Sequence, residues 1–198
     1  VNLKELNYPL GWTAVLDHET NSATNYSDGS WTYRSPFEGC TAITKIVVPE
    51  GITAIPKHAF RYMESLQEIQ LPRSLTAVSK YAFEGCTGLT GILLPETLTS
   101  LGAYAFAGCT GLKEVTVPAR ITGINPGVFD GCTALEKVVL PEALTDIYSY
   151  AFRDCAALKD ISFPDSLTGL GSCSFQNCVS LEEINYPVGW TAVLDHET

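Results

Sequence analysis

Positive charge is what this sequence is short of. Of 198 residues only 12 are Lys or Arg, against 22 Asp or Glu, for a formal net charge of −10. Without a basic patch, that balance argues against nucleic acid or an anionic membrane as the main partner. Long hydrophobic runs are missing too. No stretch approaches the ~18 consecutive apolar residues of a transmembrane helix, so membrane insertion is not expected. Residues 1–6 carry neither a basic segment nor a long apolar one, so no signal peptide is visible. A chain starting at Val1 is expected to be a fragment or processed product of a larger protein. Catalytic signatures are also absent: there is no G-x-S-x-G, phosphate loop or paired Cys/His set. No enzyme activity, cofactor or metal is therefore expected. Asp17-His18-Glu19 and Asp195-His196-Glu197 hold metal-capable residue types without the H-E-x-x-H spacing, and a solvated loop is the simpler reading. Apolar material itself is not scarce. At 45% hydrophobic and 17% charged, the chain can build a packed core, which excludes wholesale disorder.

That material is periodic. Phe37, Phe60, Phe83, Phe106, Phe129, Phe152 and Phe175 recur with a constant step of 23. Prolines from Pro49 to Pro187 keep the same step, as do an Ile/Leu column from Ile43 to Leu181 and an Ile/Val column from Ile46 to Ile184. In one unit, starting at Leu89, the run Ile92-Leu93-Leu94 has strand character and Pro95 stops it. Tyr104 to Gly108 suits one helical turn ending at glycine. Each unit is thus predicted to be a coil of strand, corner, extended return and short helix. One such coil cannot bury its own apolar face, so neighbours must stack into a solenoid. About eight coils over residues 1–198, at about 4.8 Å each, would make a single domain about 40 Å long.

At these columns the pattern L-x-x-I-x-L-P-x-x-L-T-x-I-x-x-x-A-F-x-G-C resembles the BspA-like leucine-rich repeat. The resemblance covers residues 3–193 and rests on eight columns repeating together. It implies a repeat solenoid: a right-handed leucine-rich-repeat coil with a parallel β-sheet on one face and short helical turns on the other. It also implies a secreted or cell-surface protein, extracellular and involved in adhesion to proteins or cells. The chain departs from the commoner leucine-rich motif after the strand, where Ser74 and Thr97 replace the usual Asn or Cys. An inner asparagine ladder is therefore not expected.

Two irregularities stand out. Asn7–Thr20 and Asn185–Thr198 agree at thirteen of fourteen positions. Repetition of a 178-residue block in a longer parent, which would carry Asn7 onto Asn185, accounts for this better than local duplication of one coil. The step from Pro9 to Pro49 is 40 rather than 23, which places the excess of 17 in an inserted loop near 17–36. That insertion is polar, carries an Asp28-Gly29 turn signal, and holds Tyr26, Trp31 and Tyr33. These aromatics either anchor a ligand or fold back over the first coil. Asn25-Tyr26-Ser27 fits a glycosylation sequon, relevant only to a eukaryotic source.

Four further features bear on function. Cys40, Cys86, Cys109, Cys132, Cys155 and Cys178 share one column in which Met63 substitutes once. Met pairs in no disulfide, and parallel side chains about 4.8 Å apart suit disulfides poorly, so the column calls for a soft buried group rather than a metal ladder. Cys173 lies outside it, in the tyrosine column, and across a helical turn would pair poorly with Cys178; His58, in the same tyrosine column, reads as a surface residue. A threonine column from Thr53 to Thr191 could order ice-like water, but its neighbouring column is mixed, and threonine suits an extended return strand.

The fourth feature is the strand's outward column, Val47, Gln70, Leu93, Thr116, Val139, Ser162 and Asn185. Beside it run Lys45, Glu68, Gly91, Glu114, Lys137, Asp160 and Glu183. An apolar stripe in mixed charge has the composition of a protein-binding face, though scattered surface hydrophobes are also common. The candidate binding residues are therefore Val47, Gln70, Leu93, Thr116, Val139, Ser162, Tyr26, Trp31 and Tyr33. Two functions remain: a module binding an extracellular macromolecule, such as a matrix or cell-surface protein, or a structural spacer with no ligand of its own. Uncapped ends would favour head-to-tail self-association.

Overall fold

The computed structural model describes residues 5–7, 23–25, 31–33, 35, 37 and 39–185. Tyr26, the Asp-His-Glu triplets, and residues 8–20 and 186–198 of the duplicated segment lie outside them, as do the side chains of Trp31 and Tyr33. So does the expectation of uncapped ends.

The described chain is a parallel β-solenoid. Its strand face carries β1 (Glu5–Asn7), β4 (Lys45–Val47), β6 (Glu68–Gln70), β9 (Glu114–Thr116), β11 (Lys137–Val139), β13 (Asp160–Ser162) and β15 (Glu183–Asn185). The return face carries β5 (Ala54–Ile55), β7 (Ala77–Val78), β8 (Ser100–Leu101), β10 (Gly123–Ile124), β12 (Asp146–Ile147) and β14 (Gly169–Leu170). Registers follow the sequence period: Ile46 faces Ile69 and Val115 faces Val138, each exactly one repeat further along the chain. Leu6 instead faces Ile46, across the longer step that the insertion requires. Within the insertion, β2 (Ala23–Asn25) and β3 (Trp31–Tyr33) pair antiparallel, Asn25 opposite Trp31 and Ala23 opposite Tyr33. These two strands form a hairpin, and Asp28-Gly29 between them lies outside the described residues.

The third side corrects one expectation. Among the described residues there is no helix, and the segment after each return strand is a run of tight turns. The reason lies in where the amides point. His58, Phe60 and Tyr62 donate to the next coil's Lys80, Ala82 and Glu84 carbonyls at 3.3, 2.8 and 2.7 Å. Ala59, Arg61 and Met63 close local turns onto Pro56, His58 and Phe60. An α-helix turns its N–H groups along its own axis, toward carbonyls four residues back, and keeps negative φ throughout. Here two residues per coil are left-handed, at the columns of Tyr81 (φ 60°) and Gly85 (φ 72°). The turn side is therefore a third inter-coil ladder.

Left-handed tyrosines carry a steric cost, and their placement shows what offsets it. His58, Tyr81 and Tyr104 stack in file, with centroids 5.1 and 5.4 Å apart. Where the column turns to glycine at Gly127, the Tyr104 ring lies over the space a Cβ would fill. His58 is thus half-buried in this file rather than a plain surface residue. Burial, then Arg61, Lys57 and Lys80, lower its pKa to about 4.

The core is a continuous stack. Seven phenylalanines run down it with successive centroids 5.1–6.1 Å apart, and those from Phe60 to Phe152 are fully buried. The thiols have a specific partner: Cys86, Cys109, Cys132, Cys155 and Cys178 each donate to a phenylalanine carbonyl of the preceding coil at 3.0–3.2 Å. Burial pushes the thiols of Cys86 and Cys132 up to about 12. All seven cysteines are free, and only Cys40 and Cys173 are exposed. In the place of an asparagine ladder, Ser74, Thr97 and Ser166 reach the Ile52, Leu75 and Leu144 carbonyls of the preceding coil at 2.7–2.8 Å.

Candidate functional site

The strand face is set by period-two alternation. Central residues such as Ile69, Val115 and Val138 go inward, and both neighbours of each are exposed. Among the candidates, Val47 is half-buried and Gln70, Thr116 and Ser162 are exposed. Gln70 donates to Glu68 at 3.0 Å, and Glu68 in turn pairs with Lys45 at 3.0 Å. The apolar stripe thus narrows to two residues: Leu93 is 85% exposed and Val139 43%. They share a shallow groove of about 350 Å³ lined also by Gly91, Ile92, Leu94, Glu114, Val115, Thr116 and Lys137. Glu114 and Lys137 supply one charge of each sign at its edge.

The groove exists because an expected strand does not. Residues 91–94 belong to no ladder, so β6 and β9 are not bridged by a strand between them. Gly91 is where this coil departs from the others. It occupies the column of Lys45, Glu114 and Lys137, and its Cβ position looks onto open space. Extended glycine loses the most chain entropy and offers no cross-strand contact, which weakens pairing at this coil. Sequence reasoning missed the interruption, although Gly91 inside an otherwise charged column was its signal.

Other surfaces are taken up by the coil's own bonding. Thr76, Thr99, Thr145 and Thr168 donate their hydroxyls to the preceding threonine carbonyl at 3.0–3.3 Å, so these hydroxyls bond across coils. Arg61 pairs with Glu84 at 2.5 Å, and Arg153 grips Asp130 with both nitrogens, at 2.8 and 2.5 Å. Among the described residues no group of three His, Cys, Asp or Glu is placed to hold a metal.

With this geometry in view, the similarities to known proteins fall into place. A BspA type leucine rich repeat region matches residues 32–147 and 78–196, in six copies. The chain is similar to a solved leucine-rich repeat protein from Bacteroides ovatus, 31% identical with a TM-score of 0.76 over 94% of this chain. One from Eubacterium ventriosum is 29% identical, with a TM-score of 0.59 over 76%. The T. pallidum leucine rich repeat protein, 23% identical with a TM-score of 0.71, shares the fold over 92% of this chain and 80% of its own. The present chain spans 46% and 47% of the Bacteroides and Eubacterium proteins. No curated protein matches it.

Proposed function

The chain belongs to the BspA-type leucine-rich repeat family, and from that premise we propose that it is a non-enzymatic binding module of an extracellular or cell-surface protein. Its partner is a macromolecule, most simply a matrix or cell-surface protein. The observation that carries this reading is Leu93, an aliphatic side chain 85% exposed over a groove shared with Val139. An interface core takes this form, with an apolar centre and a charged rim, here Glu114 and Lys137. The hairpin with Trp31 and Tyr33 is the second candidate surface.

The test is binding of the 198-residue chain, at physiological salt, to a panel of immobilised matrix proteins and glycans. A parallel variant carries Val47, Leu93 and Val139 changed to Asp. Binding that the variant loses supports the strand face. Binding that it keeps moves the site to the hairpin. No binding to any member of the panel would favour a structural spacer.

A further inference from the structure

Coils in this solenoid are joined on three sides, and one joint is held by backbone ladders on only one. We infer that the rod bends between the coil of Phe106 and the coil of Phe129, with the turn side as hinge line and the Leu93 groove as the gap that opens and closes.

On the strand face, Val48 donates to Gln70 and Val117 to Val139, each at 2.9 Å. Among the described residues Leu94, the equivalent donor at this joint, makes no such bond to Thr116; one longer bond, from Lys113 to Thr90 at 3.3 Å, remains. On the return face the ladder runs through β5, β7 and β8, stops, and resumes at β10, β12 and β14. Gly102, Tyr148 and Gly171 each donate a backbone amide to the preceding coil, at 2.6–2.9 Å. At the interrupted step the side chain of Asn125 reaches the Leu101 carbonyl instead, at 2.6 Å. Its longer arm spans a step the amide does not.

The turn side is intact at the same joint. Tyr104, Phe106 and Gly108 donate to Pro126, Val128 and Asp130 at 2.9, 2.9 and 2.7 Å. Two other joints lose the strand-face ladder, but there the return face holds through β7–β8 and β12–β14. Among the described coils only this joint lacks both. The groove straddles it, with Ile92 and Leu93 on one side and Glu114 to Thr116 on the other. A rod clamped along one edge and loose along the other two bends about that edge.

The test needs no ligand, so a failed binding panel leaves it untouched. Native-state hydrogen exchange on the unmodified chain compares Leu94 with Val117, and Asn125 with Tyr148. The inference expects exchange at least about tenfold faster at Leu94 and Asn125, as local opening without global unfolding produces. Asn125→Ala should speed exchange at the joint further and leave Tyr148 unchanged. Spin labels on the exposed Cys40 and Cys173, in a chain carrying Cys178→Ala because that thiol is only half-buried, read the bend itself; the buried Cys86, Cys109, Cys132 and Cys155 stay unlabelled. A broad distance distribution, broader still in N125A, is expected. Equal protection at the paired amides, or one narrow distribution unchanged by N125A, would overturn the inference.

Discussion

Changing Cys109 to Ala and to Ser separates what its column contributes. Cys109 is fully buried, and its Sγ lies 3.2 Å from the Phe83 carbonyl oxygen. That oxygen also accepts the Cys86 amide at 3.1 Å, so losing the thiol does not orphan it. Cys109→Ala therefore removes mainly dispersion contacts and buried area, costing about 1–2 kcal/mol. Cys109→Ser keeps a donor but draws it back on a shorter bond, from a contact already beyond the ~2.7 Å that O–H···O bonding prefers. A poorly bonded hydroxyl in an apolar stack adds about 1–2 kcal/mol of uncompensated desolvation to the same lost contacts. The expected order is wild type, then Ala, then Ser, with Ser about 2–4 kcal/mol below wild type. At roughly 2–4 °C per kcal/mol for a chain of this size, the steps are resolved by thermal and urea unfolding under reductant. Cys40→Ser, at an exposed member of the column, should be within about 0.5 kcal/mol of wild type. A Cys109→Ser protein as stable as wild type would refute the reasoning that the column wants a soft, weakly donating group.

Three further outcomes follow from the same structure. At pH 8, a thiol reagent should modify Cys40 and Cys173 rapidly, and the buried Cys86, Cys109, Cys132 and Cys155 only after denaturation; fast reaction of a core thiol in the folded chain would contradict the burial that raises its pKa. His58 stays neutral in the fold down to about pH 4, while the unfolded imidazole titrates near 6.5, so its contribution is whole above pH 6.5 and falls as pH drops toward 4. In His58→Tyr, the residue its column prefers, that part of the slope disappears; half-exposure limits the difference to about 1 kcal/mol, and superimposable pH–stability profiles would show the cause to be misassigned. Arg153→Ala strands the nearly buried Asp130 carboxylate and should cost about 2–4 kcal/mol, whereas the Asp130→Ala, Arg153→Ala double variant should recover part of that loss, since Ala107 fills the same column unpaired; strict additivity in the cycle would mean the pair does not couple.

Much of this architecture could be read from the chain because a strict 23-residue period fixes register. Phenylalanine, cysteine and the inward Ile/Val column each predicted a buried file. What misled was local pattern taken without its neighbours. Tyr104-Ala105-Phe106-Ala107-Gly108 reads as a helical turn in isolation, but its amides at 104, 106 and 108 bond to the next coil. Ile92-Leu93-Leu94 reads as a strand, but it joins neither β6 nor β9, and Gly91 beside it weakens the pairing. The strand-face column was legible as residues, while its reduction to Leu93 and Val139 needed coordinates, because exposure depends on what the coils on either side leave open.

The most direct test of the binding reading is a matched pair of substitutions in one coil, Leu93→Asp on the strand face and Thr99→Asp on the return face. Both positions are exposed; Thr99→Asp gives up the hydroxyl's bond to the Thr76 carbonyl and should cost about 1 kcal/mol, so both proteins should stay folded at the assay temperature. Measured by surface binding against a partner captured in the panel, Leu93→Asp is predicted to abolish binding and Thr99→Asp to leave it unchanged. Binding that survives Leu93→Asp, or falls equally in both, would contradict the assignment of the strand-face groove as the recognition surface.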